Sequence, residues 1–255
     1  YDNIIQASSG LMTVNGTRDT RPVMIGAPLL DYGTGYAAAF AISAALLHRE
    51  RTGEGQCIDL AMQDVALTLM SSAAVRYLNG DSFPVRDGNT GPNVAYGCHP
   101  TADGLLMIGA YSPKQSARLW RLLGEEDEAR IVEALDVSAL SERAERQREI
   151  LSKALPMRSA EDWVKRMQAV GVPAAKVVDL PEAIADTDAA RPGLFGEIPE
   201  QSNVPELHAR VPVASFRFDH GGPVLRRPPP RHGEQTQRVL DLLENDPRAA
   251  FDPNR

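Results

Sequence analysis

Residues 26–56 read GAPLLDYGTGYAAAFAISAALLHRERTGEGQ, which is the most regular early part of the chain. Pro28 precedes Asp31, a residue type that is favoured at helix N-caps, and Gly53 follows a long run of helix-forming residues. A helix is therefore predicted from Asp31 to about Arg51.

The interior of this predicted helix consists mainly of alanine and other small residues. The positions that recur at helical spacing are Tyr36, Phe40, Ala44 and Leu47. Small residues let another backbone approach closely, so we expect the helix to be buried along this stripe. Residues 56–60 predict a short strand and residues 62–78 a second helix, and such alternation of strand and helix is typical of an α/β layer.

Glycines and prolines interrupt the polar stretch 79–94, which predicts a linker. The part before it, residues 1–78, is interpreted as part of a large α/β domain that carries the catalytic aspartate. Residues 95–190 predict a smaller α+β domain, and residues 191–255 a return segment to the large domain. The strands predicted after the linker are 105–108, 174–178 and 211–218. The helices predicted there are 114–123, 137–155, 159–171, a short one capped by Asp179, and 234–243.

Composition excludes several classes of function. The net charge is −7 and aromatic residues make up 5% of the chain, which argues against a nucleic-acid partner. Cys57 and Cys98 are the only cysteines, and no histidine has partners at metal-ligand spacing, so we expect neither a disulfide framework nor a metal. The longest apolar stretch is too short to cross a membrane, and a cytoplasmic location is expected.

Three segments together resemble the class III CoA-transferase family, which includes formyl-CoA and carnitine CoA-transferases and the related α-methylacyl-CoA racemases. The first segment comprises YDNIIQASSGLM (1–12), GAPLLDYGTG (26–35) and RTGEGQ (51–56). The second comprises GNTGPNVAYG (88–97) and TADG (101–104), and the third is GEQT (233–236), where Gln235 stands at a position that is usually His in the family. The resemblance covers nearly the whole chain.

The resemblance implies that Asp31 is the catalytic carboxylate, which forms an anhydride with the acyl group and then a thioester with CoA. It also implies that the glycine-rich loop 88–97 closes over the acyl site, although the composition of this loop fits a flexible interdomain turn equally well. The substrate-binding residues implied by the resemblance are Gly33, Gly35, Gly88, Asn89, Tyr96 and Gly97. CoA and acyl-CoA enter as substrates rather than as permanently bound cofactors, and the complete protein is expected to be an interlocked homodimer with a Rossmann-like large domain.

Elementary chemistry supports the role of Asp31. A side-chain carboxylate can form both an anhydride and a thioester. At a helix start, free backbone N–H groups and the positive end of the helix dipole favour negative charge. The alternative for Asp31 is a purely structural N-cap. His99 is expected to be structural, and Arg51 and Arg86 are expected to be solvated rather than bound to CoA phosphates.

Two other functions stay open. A racemase of the same family would move an α-proton with a His–Asp pair, and its His would precede Asp2, where this chain has Tyr1. The family's Rossmann-like segment, which needs about a hundred residues or more, has no counterpart in the chain. The chain, which opens without Met, is therefore expected to be a fragment or one member of a split protein, and it could be non-catalytic without an upstream CoA-binding half.

Overall fold

The structure of this chain is a computed structural model, which describes residues 1–80, 86, 88–89, 93–136, 143–198 and 209–245. The chain divides into two compact units, Tyr1–Val177 and Val178–Arg255. Part of the predicted linker 79–94 lies outside the described residues. The predicted domains 1–78, 95–190 and 191–255 stay predictions.

The first unit opens with a helical region. Its elements are α1 (Asp2–Ser8), α2 (Leu11–Val14), α3 (Leu29–Thr52), α4 (Met62–Leu69) and α5 (Ser71–Leu78). The chain thus forms two helices where residues 62–78 predict one. The break falls at Met70, whose φ of −92° and ψ of 18° lie outside the helical region.

Helix α3 is the long helix predicted from the opening stretch. Its C-terminal end is as expected, because Gly53 adopts a left-handed φ of 78° that favours glycine. The start differs from the prediction, since the helix begins at Leu29 after Pro28, and Asp31 is a residue of the first turn rather than the N-cap.

The prediction that α3 is buried is wrong for the described chain. Leu30 is its one buried residue, whereas Tyr36 is 61% and Phe40 77% exposed. Helices α1 and α4 pack against α3. A stripe of small residues permits close packing but does not supply a partner, and no described element covers this stripe along its length.

The predicted strand at residues 56–60 is also wrong. The described residues 54–61 have no regular secondary structure. A strand requires a neighbour for its backbone hydrogen bonds, and the alternation of side chains cannot provide one.

The sheet of the first unit is formed later in the chain, by β1 (Tyr96–Pro100), β2 (Leu105–Gly109) and β3 (Ala174–Lys176) in that order. Both pairings are antiparallel. The strands predicted at 105–108 and 174–178 are therefore confirmed at their core. A Rossmann-like parallel sheet stays a prediction.

Four helices surround this sheet. They are α6 (Pro113–Leu122), α7 (Glu126–Glu133), α8 (Ala144–Ala154) and α9 (Ala160–Ala169). Their apolar side chains pack with the strands around Trp120, which is fully buried. Ser112 and Gln115 form a capping box at the start of α6, and the Ser159 side chain accepts the Asp162 N–H at the start of α9. The predicted helices 114–123 and 159–171 are confirmed, and α8 lies within the predicted range 137–155, of which 137–142 lie outside the described residues.

A buried carboxylate joins α7 to α8. Glu128 is 1% exposed, and its oxygens accept hydrogen bonds from Arg143 Nε at 2.7 Å, Arg143 Nη2 at 2.5 Å and Gln147 Nε2 at 2.9 Å. The bonds from Arg143 contribute most to lowering the pKa of Glu128 below its ordinary value. Burial opposes them, and Gln147 and the charges of Arg143 and Arg146 add to them.

The second unit contains α10 (Leu180–Ala190), β4 (Phe195–Glu197), β5 (Arg210–Pro212) and α11 (Thr236–Asn245). The Asp179 side chain accepts the Glu182 N–H at 2.9 Å, which confirms the predicted cap. The late strand is shorter than the predicted range 211–218, because its antiparallel partner β4 has only three residues.

We predict that Glu128→Gln lowers the free energy of unfolding by about 2 kcal/mol at pH 7, since hydrogen bonds to a charged group are lost in a buried site. Because the pKa of Glu128 is lowered in the folded state, this contribution is complete above the ordinary value of 4.5 and is lost as pH falls through the folded pKa. Urea unfolding of both proteins at pH 7 and below pH 4.5 measures the difference, which should shrink in acid.

The matched control is Glu149→Gln. Glu149 pairs with Lys153 on the surface, with side chains 65% and 73% exposed, so its loss should cost far less than that of Glu128 because solvent screens the pair. Equal effects of the two substitutions at pH 7 would contradict the prediction.

Candidate active site

A cleft of about 410 Å³ lies in the first unit, beside Asp31. Asp2 and Asn3 at the start of α1 form one wall, residues 24–28 form another, and Asp31 in the first turn of α3 completes it. The cleft therefore brings together segments that are well separated in sequence.

The geometry of a helix explains why Asp31 faces this cleft. Leu30 is fully buried and fixes one face of α3, and the next residue projects about 100° further around the axis. The Asp31 side chain is exposed. Among the described residues, none forms a hydrogen bond or an ion pair with its carboxylate.

The second acidic residue of the cleft, Asp2, is bonded through both of its oxygens. Its Oδ2 accepts the backbone N–H of Leu30 at 2.7 Å and that of Asp31 at 3.1 Å. Its Oδ1 accepts a hydrogen bond from Gln6 Nε2 at 2.5 Å. Asp2 thus caps a helix that begins far along the chain, since Leu30 lies 28 positions after Asp2.

Gln6 links this cap to the neighbouring wall of the cleft. Its side chain is fully buried, and its Oε1 accepts the backbone N–H of Ile25 at 2.9 Å. Its Nε2, which donates to Asp2, also lies 3.4 Å from the Ile25 carbonyl oxygen. Three segments of the cleft therefore share one small hydrogen-bond network.

The charge state of Asp2 follows from these contacts. Burial is the largest influence and would raise the pKa of the Asp2 carboxyl, but hydrogen bonds from Gln6 and from the backbone N–H groups of Asp31 and Leu30 bring it below its ordinary value. Asp2 is therefore an anion at neutral pH, placed at the positive end of the α3 dipole.

This arrangement corrects one expectation from the sequence. The first-turn N–H groups of α3 are not free to bind the Asp31 carboxylate or an oxyanion. Leu29 donates to the Ala27 carbonyl, Tyr32 donates to the Pro28 carbonyl, and the two N–H groups between them donate to Asp2.

The two predicted glycines of α3 have different surroundings. A Cβ on Gly33 would lie 3.2 Å from Leu69 Cδ1 and 3.6 Å from Val65 Cγ1, so this glycine allows α4 to pack closely. A Cβ on Gly35 would meet nothing within 4 Å. Space for a ligand thus exists at Gly35, whereas the space beside Gly33 is occupied by α4. Binding roles for both stay predictions.

The predicted loop residues lie elsewhere in the first unit. The Gly88 N–H donates to the Gly16 carbonyl at 2.9 Å, and the Asn89 carbonyl accepts the Cys98 N–H at 2.9 Å. Tyr96 begins β1 and packs edge to face against Tyr111, with ring centroids 5.8 Å apart.

Gly97 follows Tyr96 in the same strand. The described lining of the cleft beside Asp31 includes none of the residues Gly88, Asn89, Tyr96 and Gly97. Their contact with substrate stays a prediction.

The remaining candidates do not line the cleft beside Asp31. His99 Nε2 lies 2.9 Å from the Val94 carbonyl oxygen, and burial lowers the pKa of its imidazole although this hydrogen bond opposes the shift. Arg51 is in the last turn of α3, about 30 Å along the helix from Asp31.

No group of three metal-ligating side chains occurs among the described residues. None of the described helices has the length and apolarity to cross a membrane.

Asp2 and Gln6 are the site residues that the sequence interpretation missed. Their spacing of four residues places both on one face of a helix, which was an available signal. Their partners at Ile25, Leu30 and Asp31 use backbone N–H groups, which leave no trace in a sequence.

Comparison with known proteins identifies the family. The model of the family described as CoA-transferase family III matches residues 1–236, so the chain belongs to this family. The chain is 31% identical over 265 residues to succinate–glutarate CoA-transferase of Agrobacterium fabrum, covering 98% of the chain and 62% of that protein. It is 30% identical over 253 residues to succinyl-CoA:glutarate CoA-transferase of Mus musculus, covering 96% of the chain and 56% of that protein.

A solved structure is similar in fold. The crystal structure of a CAIB/BAIF family protein from Brucella suis superposes with a TM-score of 0.72 at 26% identity, covering 95% of this chain and 62% of that one. The chain spans 56–62% of the length of the relatives and of the structure that it matches.

The contrast between Gly33 and Gly35 gives a prediction. Gly35→Ala should stabilise the protein by about 0.5–1 kcal/mol, because alanine is the better helix former and its methyl group meets open space. Gly33→Ala should gain less, because its Cβ crowds Leu69. Urea unfolding of both variants measures the difference, and an equal gain would show that α4 does not press on Gly33.

Proposed function

We propose that this chain moves CoA from an acyl-CoA to a free carboxylic acid, with Asp31 as the covalent carboxylate. One observation carries the proposal: of the two aspartates at the cleft, Asp2 has both oxygens hydrogen-bonded, whereas the exposed Asp31 carboxylate has no partner among the described residues. A nucleophile needs an accessible lone pair, and Asp31 supplies it.

The chemistry proceeds through two kinds of intermediate. An Asp31 oxygen attacks the thioester carbonyl of the donor, the C–S bond breaks, and CoA leaves as thiolate, which yields a mixed anhydride. The thiolate then attacks the Asp31 acyl carbon, the donor acid leaves as carboxylate, and an aspartyl-CoA thioester forms. Each step exchanges one activated acyl bond for another, so the energy of the thioester is retained.

The second half reverses this sequence with the acceptor. Its carboxylate attacks the aspartyl thioester and expels CoA thiolate, which gives a new anhydride. The thiolate attacks the acceptor's carbonyl, forms the new acyl-CoA and restores the Asp31 carboxylate. Water would destroy each anhydride, and the glycine-rich segment before β1, which includes Gly88 and Asn89, is proposed to close over the acyl site and exclude water.

The names of two relatives suggest which acids to test first. Both are named for the transfer of CoA between succinate and glutarate, which are dicarboxylic acids. We therefore propose a short dicarboxylic acid as acceptor, with succinyl-CoA as donor. A monocarboxylic fatty acid forms the second arm of the assay, because the acyl pocket decides selectivity.

The assay has two preparations, since the chain spans 56–62% of the length of the two relatives named above. In one the chain is alone, and in the other a polypeptide supplies the remaining length. Exchange only in the second preparation would indicate a CoA-binding half that this chain needs. Incorporation of deuterium at the α-carbon of the acyl group without CoA transfer would favour a racemase. An interlocked homodimer and a cytoplasmic location belong to the same proposal.

Substitution of Asp31 tests the mechanism. Asp31→Asn should lower the exchange rate by about 1,000-fold or more, because no anhydride can form. Hydroxylamine trapping and peptide mass measurement should find the acyl group or CoA on Asp31 of the unsubstituted protein.

The matched control is Asp64→Asn, since Asp64 is also an exposed aspartate in the first turn of a helix. It should leave exchange unchanged. Full exchange by Asp31→Ala, or covalent mass on another residue, would end the proposal.

A further inference from the structure

We propose that Asp2 is a positioning residue for Asp31, holding the first turn of α3 in place while the Asp31 side chain is acylated and thioesterified. The inference rests on the proposed role of Asp31. Asp2 does not react, because both of its oxygens are engaged by Gln6 Nε2 and by the N–H groups of Leu30 and Asp31.

The start of α3 needs this cap from outside. The helix has no side-chain cap of its own, because the N-cap residue is Pro28, which carries no side-chain acceptor. Leu30 is fully buried, so without Asp2 its N–H group would lie unsatisfied where water cannot reach it. The bond from the Asp31 N–H acts on the very residue whose side chain reacts.

Gln6 links the Asp2 cap to the other wall of the cleft, which residues 24–28 form. Its amide bridges the Asp2 carboxylate and the backbone N–H of Ile25, a residue that lines the cleft together with Asp2 and Asp31. Movement of either wall relative to Asp31 therefore breaks a hydrogen bond of this network.

Positioning through the backbone suits the proposed chemistry. The Asp31 carboxylate changes from an anion to a neutral anhydride or thioester, so contacts with its oxygens would be made and broken in each turnover. Contacts with its backbone N–H persist through every state. A displacement of about 1 Å at a reacting group can cost roughly 100-fold in rate, so a fixed backbone is valuable here.

The hydrogen-bond network can be tested by exchanging the donor and the acceptor between the side chains of Asp2 and Gln6, which keeps the geometry of the network. In Asp2→Asn, one amide oxygen can still accept the Leu30 and Asp31 N–H groups, but the new NH₂ faces the NH₂ of Gln6. In Gln6→Glu, two carboxylates meet where the present contact is 2.5 Å.

The double variant, which combines Asp2→Asn with Gln6→Glu, exchanges donor and acceptor between the two side chains. The NH₂ of the introduced asparagine donates to one oxygen of the introduced glutamate. The other oxygen of that glutamate accepts the Ile25 N–H. Only the 3.4 Å contact with the Ile25 carbonyl is lost, so the cap and its link to the opposite wall are both retained.

We expect each single substitution to lower kcat by about 10- to 100-fold, with the dissociation constant for acyl-CoA changed less than about twofold. The double variant should recover kcat to within about threefold of the unsubstituted protein. Amide hydrogen exchange at Leu30 and Asp31 should be faster in each single variant and return to its original rate in the double variant. The measurements use the preparation that shows exchange.

Ser8→Ala is the matched control on the same helix. Ser8 Oγ donates to Gln63 Oε1 at 3.1 Å and so ties α1 to α4 without touching the start of α3. Its removal should change neither kcat nor amide exchange at Leu30 and Asp31. A loss of kcat equal to that of Asp2→Asn would mean that docking of α1, and not the cap, is what matters, and would overturn the inference.

Other outcomes separate the inference from the proposed function. Full kcat in Asp2→Asn with an inactive Asp31→Asn would overturn the positioning role alone, whereas an active Asp31→Asn would overturn the proposed function. Failure of the folded double variant to recover kcat would also overturn the inference, because its hydrogen-bond network is complete.

If no preparation shows CoA exchange, unchanged amide protection at Leu30 and Asp31 in Asp2→Asn would overturn the positioning claim by itself. Should Asp2→Asn fail to fold, Gln6→Glu and the double variant carry the same comparison.

Discussion

The capping of α3 by Asp2 is the interaction on which the candidate site depends. A helix begins with N–H groups that need acceptors, and α3 begins after a proline that offers none from its side chain. The acceptor for Leu30 comes from a residue 28 positions earlier, so α1 must dock before the start of α3 is complete. The place of Asp31 is thus a property of the folded unit and not of its local sequence.

In the proposed mechanism, the two aspartates divide two tasks that one carboxylate cannot combine. A cap must keep its acceptor engaged, and Oδ2 of Asp2 accepts the N–H groups of Leu30 and Asp31 while Oδ1 accepts the Gln6 amide. A covalent nucleophile must lose its charge each time it is acylated. The cleft meets both demands with a buried, fully bonded Asp2 and an exposed Asp31 that is free of side-chain partners among the described residues.

Local signals in the sequence were sufficient for much of the fold. The glycine that ends α3, the capping residues Ser159 and Asp179, and the strand at 105–108 act over a few residues and were predictable. The family motif was sufficient for placing Asp31 near a helix start. Failures came where a partner was required, because neither the strand at 56–60 nor the buried stripe of α3 found one in the described chain. The cap by Asp2 was missed for the same reason, since its contacts are with distant backbone groups.

The start of α3 is held from two sides, which explains how Asp31 can be exposed and yet fixed. Leu30 is buried and bonded to Asp2, and Gly33 lies against Val65 and Leu69 of α4. Asp31 lies between these anchors on the open face. The rest of the helix is largely exposed, with Phe40 77% exposed, so packing along its length among the described residues does not hold it. The contacts that hold the candidate nucleophile in place are therefore concentrated in one helical turn. A substitution in that turn should affect the site far more than one further along α3.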